Sequence, residues 1–291
     1  MVLLEAGDAR ATISPEGAEL QLWDVAGRPL IWKPNPAFWA QTAPILFPVV
    51  GWTREGQERV GGRSYPLGLH GFAMHRRFEI VEQEASAVRL HLGSDAQTRA
   101  LYPFDFSFTV EHRLVGHSLS MILEVENTGE STMPYACGVH PGFRWPFAGG
   151  DAEGYRIRFD MPEDPVVPVI APGGFISSRT KVLPLEGAIL PLNPDLFRND
   201  ALCFLNARSR GLHFEAPDGA AIRLETEDFP HLALWCLPGG GYLCLEAWTG
   251  YSDPDNFDGD LFTKPSMRLL EPGAVGRHKA SYTFQAAPEG R

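Results

Sequence analysis

The stretch Phe106-Ser107-Phe108-Thr109-Val110-Glu111-His112-Arg113-Leu114 alternates apolar and polar side chains. After Gly116 a second stretch, Ser118-Leu119-Ser120-Met121-Ile122-Leu123-Glu124-Val125-Glu126, largely does the same. Successive side chains of a strand point to opposite faces. Phe106, Phe108, Val110 and Leu114 therefore share one face, with His112 among them, and Ser107, Thr109, Glu111 and Arg113 share the other. Gly116 permits a turn, so the pair reads as a hairpin with one buried and one wetter face. The same alternation recurs at residues 88–92, 155–159, 222–225 and 280–284, in roughly nine or ten segments overall. Helical spacing is nearly absent. Residues 95–101 fit about two turns before Pro103, and residues 194–199 fit another short helix, because proline suits a first helical turn. The expectation is an all-β chain: one large antiparallel β-sandwich with few short helices, a single domain over residues 1–291.

Composition agrees. Glycine (30) and proline (25) exceed ordinary usage, which marks many short elements joined by turns. Hydrophobic residues at 44% and charged residues at 21% suit a packed core and exclude a disordered chain. The net charge of -11 argues against nucleic acid and gives no reason to expect a membrane partner. The first twenty residues hold Glu5, Asp8, Arg10, Glu16 and Glu19, so a secretory signal is not expected, and the longest apolar run, residues 45–50, is far too short to span a bilayer. Cys137, Cys203, Cys236 and Cys244 lack ligand-like spacing and read as reduced core thiols of a cytoplasmic protein, with no metal site. Residues 162–174 hold four prolines and two glycines but also Val166, Val167, Val169 and Ile170, and read as a structured excursion within the domain. Nothing in the chain specifies an oligomeric state.

Three segments place ionisable residues in turn or strand settings. In Leu69-His70-Gly71-Phe72-Ala73 the glycine lets backbone or ligand come close to His70. The alternative is a loop histidine that hydrogen-bonds locally. In Gly138-Val139-His140-Pro141-Gly142-Phe143-Arg144-Trp145 the following proline biases His140 to an extended backbone. An extended histidine among aromatics and glycines suits a cleft that stacks on a sugar ring, or else is a structural histidine. In Tyr242-Leu243-Cys244-Leu245-Glu246-Ala247-Trp248-Thr249-Gly250 the strand period puts Cys244, Glu246 and Trp248 on one face. A carboxylate in so apolar a strand is either paired with an arginine or functional. Desolvation would raise its pKa and suit it to general-base work. Gly239-Gly240-Gly241 reads as a hairpin turn, and Glu225, Glu227 and Asp228 as a solvated strand end. The chain has no nucleophile elbow, zinc-protease motif, P-loop or dinucleotide fingerprint.

Taken in order, Pro44-Ile45-Leu46-Phe47-Pro48-Val49-Val50-Gly51, His70-Gly71-Phe72-Ala73, Gly138-Val139-His140-Pro141-Gly142-Phe143 and Cys244-Leu245-Glu246-Ala247-Trp248-Thr249-Gly250 resemble the aldose 1-epimerase (galactose mutarotase-like) superfamily, and most closely its bacterial LacX-like branch. The tail from Phe257-Asp258-Gly259-Asp260 to Leu270-Glu271-Pro272-Gly273 resembles the same branch. The resemblance implies the supersandwich form of the β-sandwich, a sugar cleft, and interconversion of the α and β anomers of a free hexose without cofactor. It implies Glu246 as general base, His140 as general acid, His70 as a second histidine beside the sugar and Asp200 as the carboxylate that holds a hydroxyl. Trp52 and Met74 stand where relatives often carry arginine. Trp52 then offers an aromatic face to a neutral pyranose, and Arg54, with Arg76, Arg77 and Arg144, is the nearby cation that can compensate. The rival readings are a hexose-6-phosphate 1-epimerase and a non-catalytic carbohydrate-binding protein of the same fold.

Overall fold

A computed structural model describes residues 1–288 of the chain. Its largest sheet is antiparallel and nine-stranded, with the hairpin Phe106–Val115 and Ser118–Asn127 near its middle. The hairpin register runs from Phe106 opposite Asn127 to Val115 opposite Ser118, and Gly116 takes the left-handed φ of 54° that the tight turn requires. Phe106, Phe108, Val110 and Leu114 are buried, as are Leu119, Met121, Leu123 and Val125. His112 is buried among them and bonds the Ala18 carbonyl through Nε2 at 2.8 Å. The other alternating segments fall in the same sheet, in Ala87–Gly93, Arg156–Phe159, Ala221–Glu227 and Val275–Gln285.

Over the buried face of this sheet lies a second one, built from Leu202–Phe204, His231–Trp235, Tyr242–Trp248, Gly138–Val139 and Ile45–Leu46, with Gly142–Arg144 also paired to Tyr242–Trp248. Contacts between the layers are direct. The rings of Phe47 and Phe108 stack at 4.4 Å, those of Phe143 and Tyr282 lie 5.1 Å apart, and the Tyr282 hydroxyl donates to the Leu245 carbonyl at 2.8 Å. Val2–Ala6, Ala9–Ile13, Leu20–Val25 and Arg28–Pro29 make a four-stranded sheet whose Trp23 packs edge-on against Phe143. The sandwich and the shortage of helix are as expected. Among the described residues only Ala96–Leu101 is α-helical, capped by Asp95 and Thr98, and Pro194–Phe197 is a 3-10 turn. No helix among the described residues is long and apolar enough to cross a membrane.

The number of strands differs from expectation. Twenty-five are present among the described residues, and many span only two to four residues, too few for an alternation to register. Residues 162–174 do form structure: Val166–Ala171 pairs antiparallel with Phe175–Val182 as a ribbon. Gly239, Gly240 and Gly241 lie in the connection between His231–Trp235 and Tyr242–Trp248, the hairpin turn anticipated there.

Candidate active site

The site begins with strand register. Gly138–Val139 and Gly142–Arg144 both pair with Tyr242–Trp248, with Val139 opposite Ala247 and Gly142 opposite Cys244. The two registers are one continuous ladder, so His140 stands opposite Glu246 and Pro141 opposite Leu245. Pro141 has no N–H to give, but its carbonyl still accepts the Leu245 N–H at 3.2 Å. On the other side Ala233 faces Glu246 and Cys203 faces Ala233. Paired residues of an antiparallel sheet project to the same side, so Cys203, Ala233, Glu246 and His140 form one row. His140 Nε2 lies 3.2 Å from Glu246 Oε2.

Two further family-like stretches are tied to this row by backbone. Ile45–Leu46 pairs with Gly138–Val139, which brings the proline-rich stretch alongside His140. Phe47 N–H donates to the His70 carbonyl at 3.3 Å, and Phe72 N–H returns a bond to the Phe47 carbonyl at 3.0 Å. Gly71, at φ 73°, makes this possible, because a Cβ there would lie 2.3 Å from the Phe47 oxygen. His70 is itself left-handed at φ 61°, and its Nδ1 accepts the Gly51 N–H at 3.0 Å. With Nδ1 accepting, the neutral ring carries its proton on Nε2, which makes that atom a donor. The His70 and His140 rings meet edge to face at 5.5 Å.

These residues line a cleft of about 380 Å³, within the usual range for small-molecule sites. Trp39 and Trp235 wall His140, with ring centroids 5.2 and 5.6 Å away. Asp200, Trp52, Gln41 and Ser252 complete the polar and aromatic rim, and Ile170 and Ile176 come from the ribbon. Trp52 is 44% exposed and lies against Gly174, where a Cβ would be 1.9 Å from its Cδ1. Asp200 is exposed at φ 78°, its Oδ1 accepting the Ala201 N–H at 2.7 Å.

The electrostatics follow from burial. Glu246 is 1% exposed, and desolvation pushes its carboxyl well above the usual carboxylate range. The Trp248 indole N–H, which donates to Oε2 at 3.0 Å, opposes that rise, while the Asp200 charge adds to it. Desolvation also lowers His140 to about 4 and holds His70 well below an ordinary histidine, with the neighbouring His140 adding to the effect on His70. His140 Nδ1 is buried without a hydrogen-bond partner among the described residues. Ligand atoms of His140, Cys244 and Glu246 lie within 4.8 Å of one another. As a cation site this set is poor, because burial drives the Cys244 thiol far up and a ligating thiol must lose its proton.

The structure thus gathers Glu246, His140, His70, Asp200 and Trp52 into one cleft. It does not bring in Arg54. That guanidinium donates to the carbonyls of Phe257 and Asp255 and lies 5.3 Å above the Phe175 ring, so the cation expected at the sugar is occupied elsewhere. Arg76 and Arg77 are likewise spent, on Asp95 and Glu16, and Arg144 reaches the Ile31 carbonyl. Nor is Glu246 an arginine partner; its contacts are His140 and Trp248. Trp39 and Trp235 went unforeseen. Trp39 lies in no regular strand and Trp235 ends one, so neither shows in a period-2 reading.

Comparison with known proteins gives a consistent set of relatives. A family model described as Aldose 1-epimerase matches residues 1–283. The chromosomal Protein LacX of Lactococcus lactis subsp. lactis is 30% identical over 270 residues, covering 89% of this chain and 90% of the relative. A galactose mutarotase related enzyme from Lactobacillus acidophilus superposes with a TM-score of 0.91 at 28% identity, over 98% of this chain and 97% of its own. A galactose mutarotase-like protein from Lactobacillus casei ATCC 334 gives the same TM-score and identity, over 98% and 100%.

Proposed function

The chain belongs to the aldose 1-epimerase family, and from that premise we propose that it is a cofactor-independent mutarotase that interconverts the anomers of a free hexose in this cleft. The observation that carries the reading is the opposition of His140 and Glu246, 3.2 Å apart in one row of the sheet. Opening a cyclic hemiacetal takes one proton from O1 and delivers one to the ring oxygen, two atoms bonded to the same carbon. A carboxylate and an imidazole side by side match that demand.

In this reading Glu246 takes the O1 proton, and the electron pair of the broken O1–H bond becomes the second bond between C1 and O1. The C1–ring-oxygen bond breaks, its electron pair goes to oxygen, and His140 supplies the proton. Rotation about C1–C2 presents the other face of the aldehyde, and the same transfers in reverse close the ring. In this reading the pair shares a single titratable proton. With the proton on Glu246 both groups are neutral, the form burial favours; with it on His140 the base and the acid exist together, at no change in total charge. The titration belongs to the pair. His70 Nε2–H and the Asp200 carboxylate suit sugar hydroxyls as donor and acceptor, and Trp52, Trp39 and Trp235 suit the apolar face of the ring.

Neutral sugars are favoured over sugar phosphates because, among the described residues, no lysine or arginine lines the cleft and two carboxylates do. Saturation transfer between the anomeric protons of equilibrated glucose or galactose tests the activity directly. Faster exchange with protein at catalytic concentration supports it. Exchange at the buffer rate, with the sugar still bound, makes the protein a carbohydrate binder.

A further inference from the structure

Both neighbours of the Glu246 carboxyl meet the same oxygen. His140 Nε2 lies 3.2 Å from Oε2, and the Trp248 indole N–H donates to Oε2 at 3.0 Å. We propose that Trp248 is a positioning residue that fixes which carboxylate oxygen works: its N–H anchors Oε2 and leaves Oε1 facing the cleft as the atom that takes the sugar's O1 proton. This rests on the general-base role proposed for Glu246.

The indole is built to hold that place. Trp248 is 7% exposed and packs among Leu46, Val50, Ala136, Cys203 and Ala233. Gly138, opposite it in the ladder, admits the ring, for a Cβ there would sit 2.7 Å from Trp248 Cδ1. Residues two apart on a strand share a face, so the spacing of Glu246 and Trp248 lets the ring reach its own strand's carboxylate without a partner from elsewhere. A donor on a carboxylate also favours the ionised form, and this one opposes the rise that burial imposes on Glu246.

Other groups face the carboxyl from every side. Tyr242 and Cys244 belong to its own strand, Cys203 to the strand beyond Ala233, Tyr282 to the sheet beneath, Asp200 to the rim and His140 to the paired strand. Burial keeps the thiols and phenols protonated. Asp200 is the charge that acts on Glu246 from the rim, Lys181 lies beside Asp200 and Cys203, and His70 stands against His140; changing Trp248 leaves all of them in place.

The test replaces the N–H and keeps the shape. Trp248 is exchanged for the benzothienyl isostere of tryptophan, in which sulfur stands for the N–H, and in parallel Trp248→Phe is made. The Glu246 carboxyl is titrated by infrared difference spectroscopy, its band identified by its loss in Glu246→Gln. Its midpoint should rise by about one to two pH units in both proteins, the size expected for one hydrogen bond to a charged group. The acid limb of kcat/KM for anomer exchange should move up by the same amount, with KM nearly unchanged. An unshifted midpoint in the isostere overturns the proposal. So does a variant that raises KM alone, which makes Trp248 a wall of the cleft. The infrared midpoint reads the contact even if the protein exchanges no anomers, so failure of the catalytic reading and failure of the anchor are told apart.

Discussion

His140 and Glu246 are individually unremarkable residue types made useful by desolvation. Each is displaced from its solution pKa toward neutrality, the histidine to about 4 and the carboxyl upward, and each then needs the other to carry charge. The histidine is the sharper test of role. In His140→Asn the side chain still donates a hydrogen bond but supplies no proton at neutral pH. Turnover should fall on the order of 10²–10⁴-fold, while calorimetric affinity for the sugar changes little. A large affinity loss with turnover intact at saturation would make His140 a binding residue. At this scale the sequence was informative about chemistry and blind to geometry. It set Cys244, Glu246 and Trp248 on one face, but a period-2 pattern carries no register between strands, so nothing in it placed His140 opposite Glu246.

Elements differ in how plainly they can be read. The central hairpin has two ten-residue strands, enough repeats for alternation to declare itself. The sheet that bears the site has strands as short as Gly138–Val139 and Ile45–Leu46, and nearly all its residues are buried, so exposed and buried positions do not alternate to mark a period. Such strands are recognised by what they pair with. The hairpin also carries a cost that its pattern hinted at. His112 sits in its apolar face, and burial holds the ring to about 4 against 6.5 in the unfolded chain. Between those values the unfolded state binds the extra proton, so stability is lost as pH falls from 6.5 toward 4 and is fully present above 6.5. His112→Gln, which can still donate to the Ala18 carbonyl, should remove that term. Urea unfolding of both proteins across pH 4–7 should show the variant's acid slope shallower by about 1.4 kcal/mol per pH unit. Parallel slopes would mean that His112 already titrates normally in the fold.

Across the whole molecule the charge pattern bears on substrate. The net charge is -11, two carboxylates line the cleft, and the nearby arginines are held by Asp95, Glu16 and backbone carbonyls. A phosphate dianion would enter with no fork to receive it. kcat/KM for glucose should therefore exceed that for glucose 6-phosphate. A ratio of ten or more in favour of the phosphate, worth about 1.4 kcal/mol of transition-state binding, would assign the site to the phosphorylated sugar. The sandwich itself was legible from the hairpins and the glycine and proline content. The cleft was less so, because its aromatic walls come from Trp39, outside any strand, and from Trp235 at a strand end.

The central claim is that the row formed by His140 and Glu246 moves the protons of anomer exchange. It is tested most directly by following the optical rotation of freshly dissolved α-glucose and α-galactose with the native protein and with Glu246→Gln, after far-ultraviolet circular dichroism has shown that both are folded. The native protein should speed the decay of rotation for at least one sugar. The variant should lose on the order of 10²–10⁴-fold of that rate, roughly 3–5 kcal/mol of barrier. A folded Glu246→Gln protein that relaxes the sugar as fast as the native one would contradict the account.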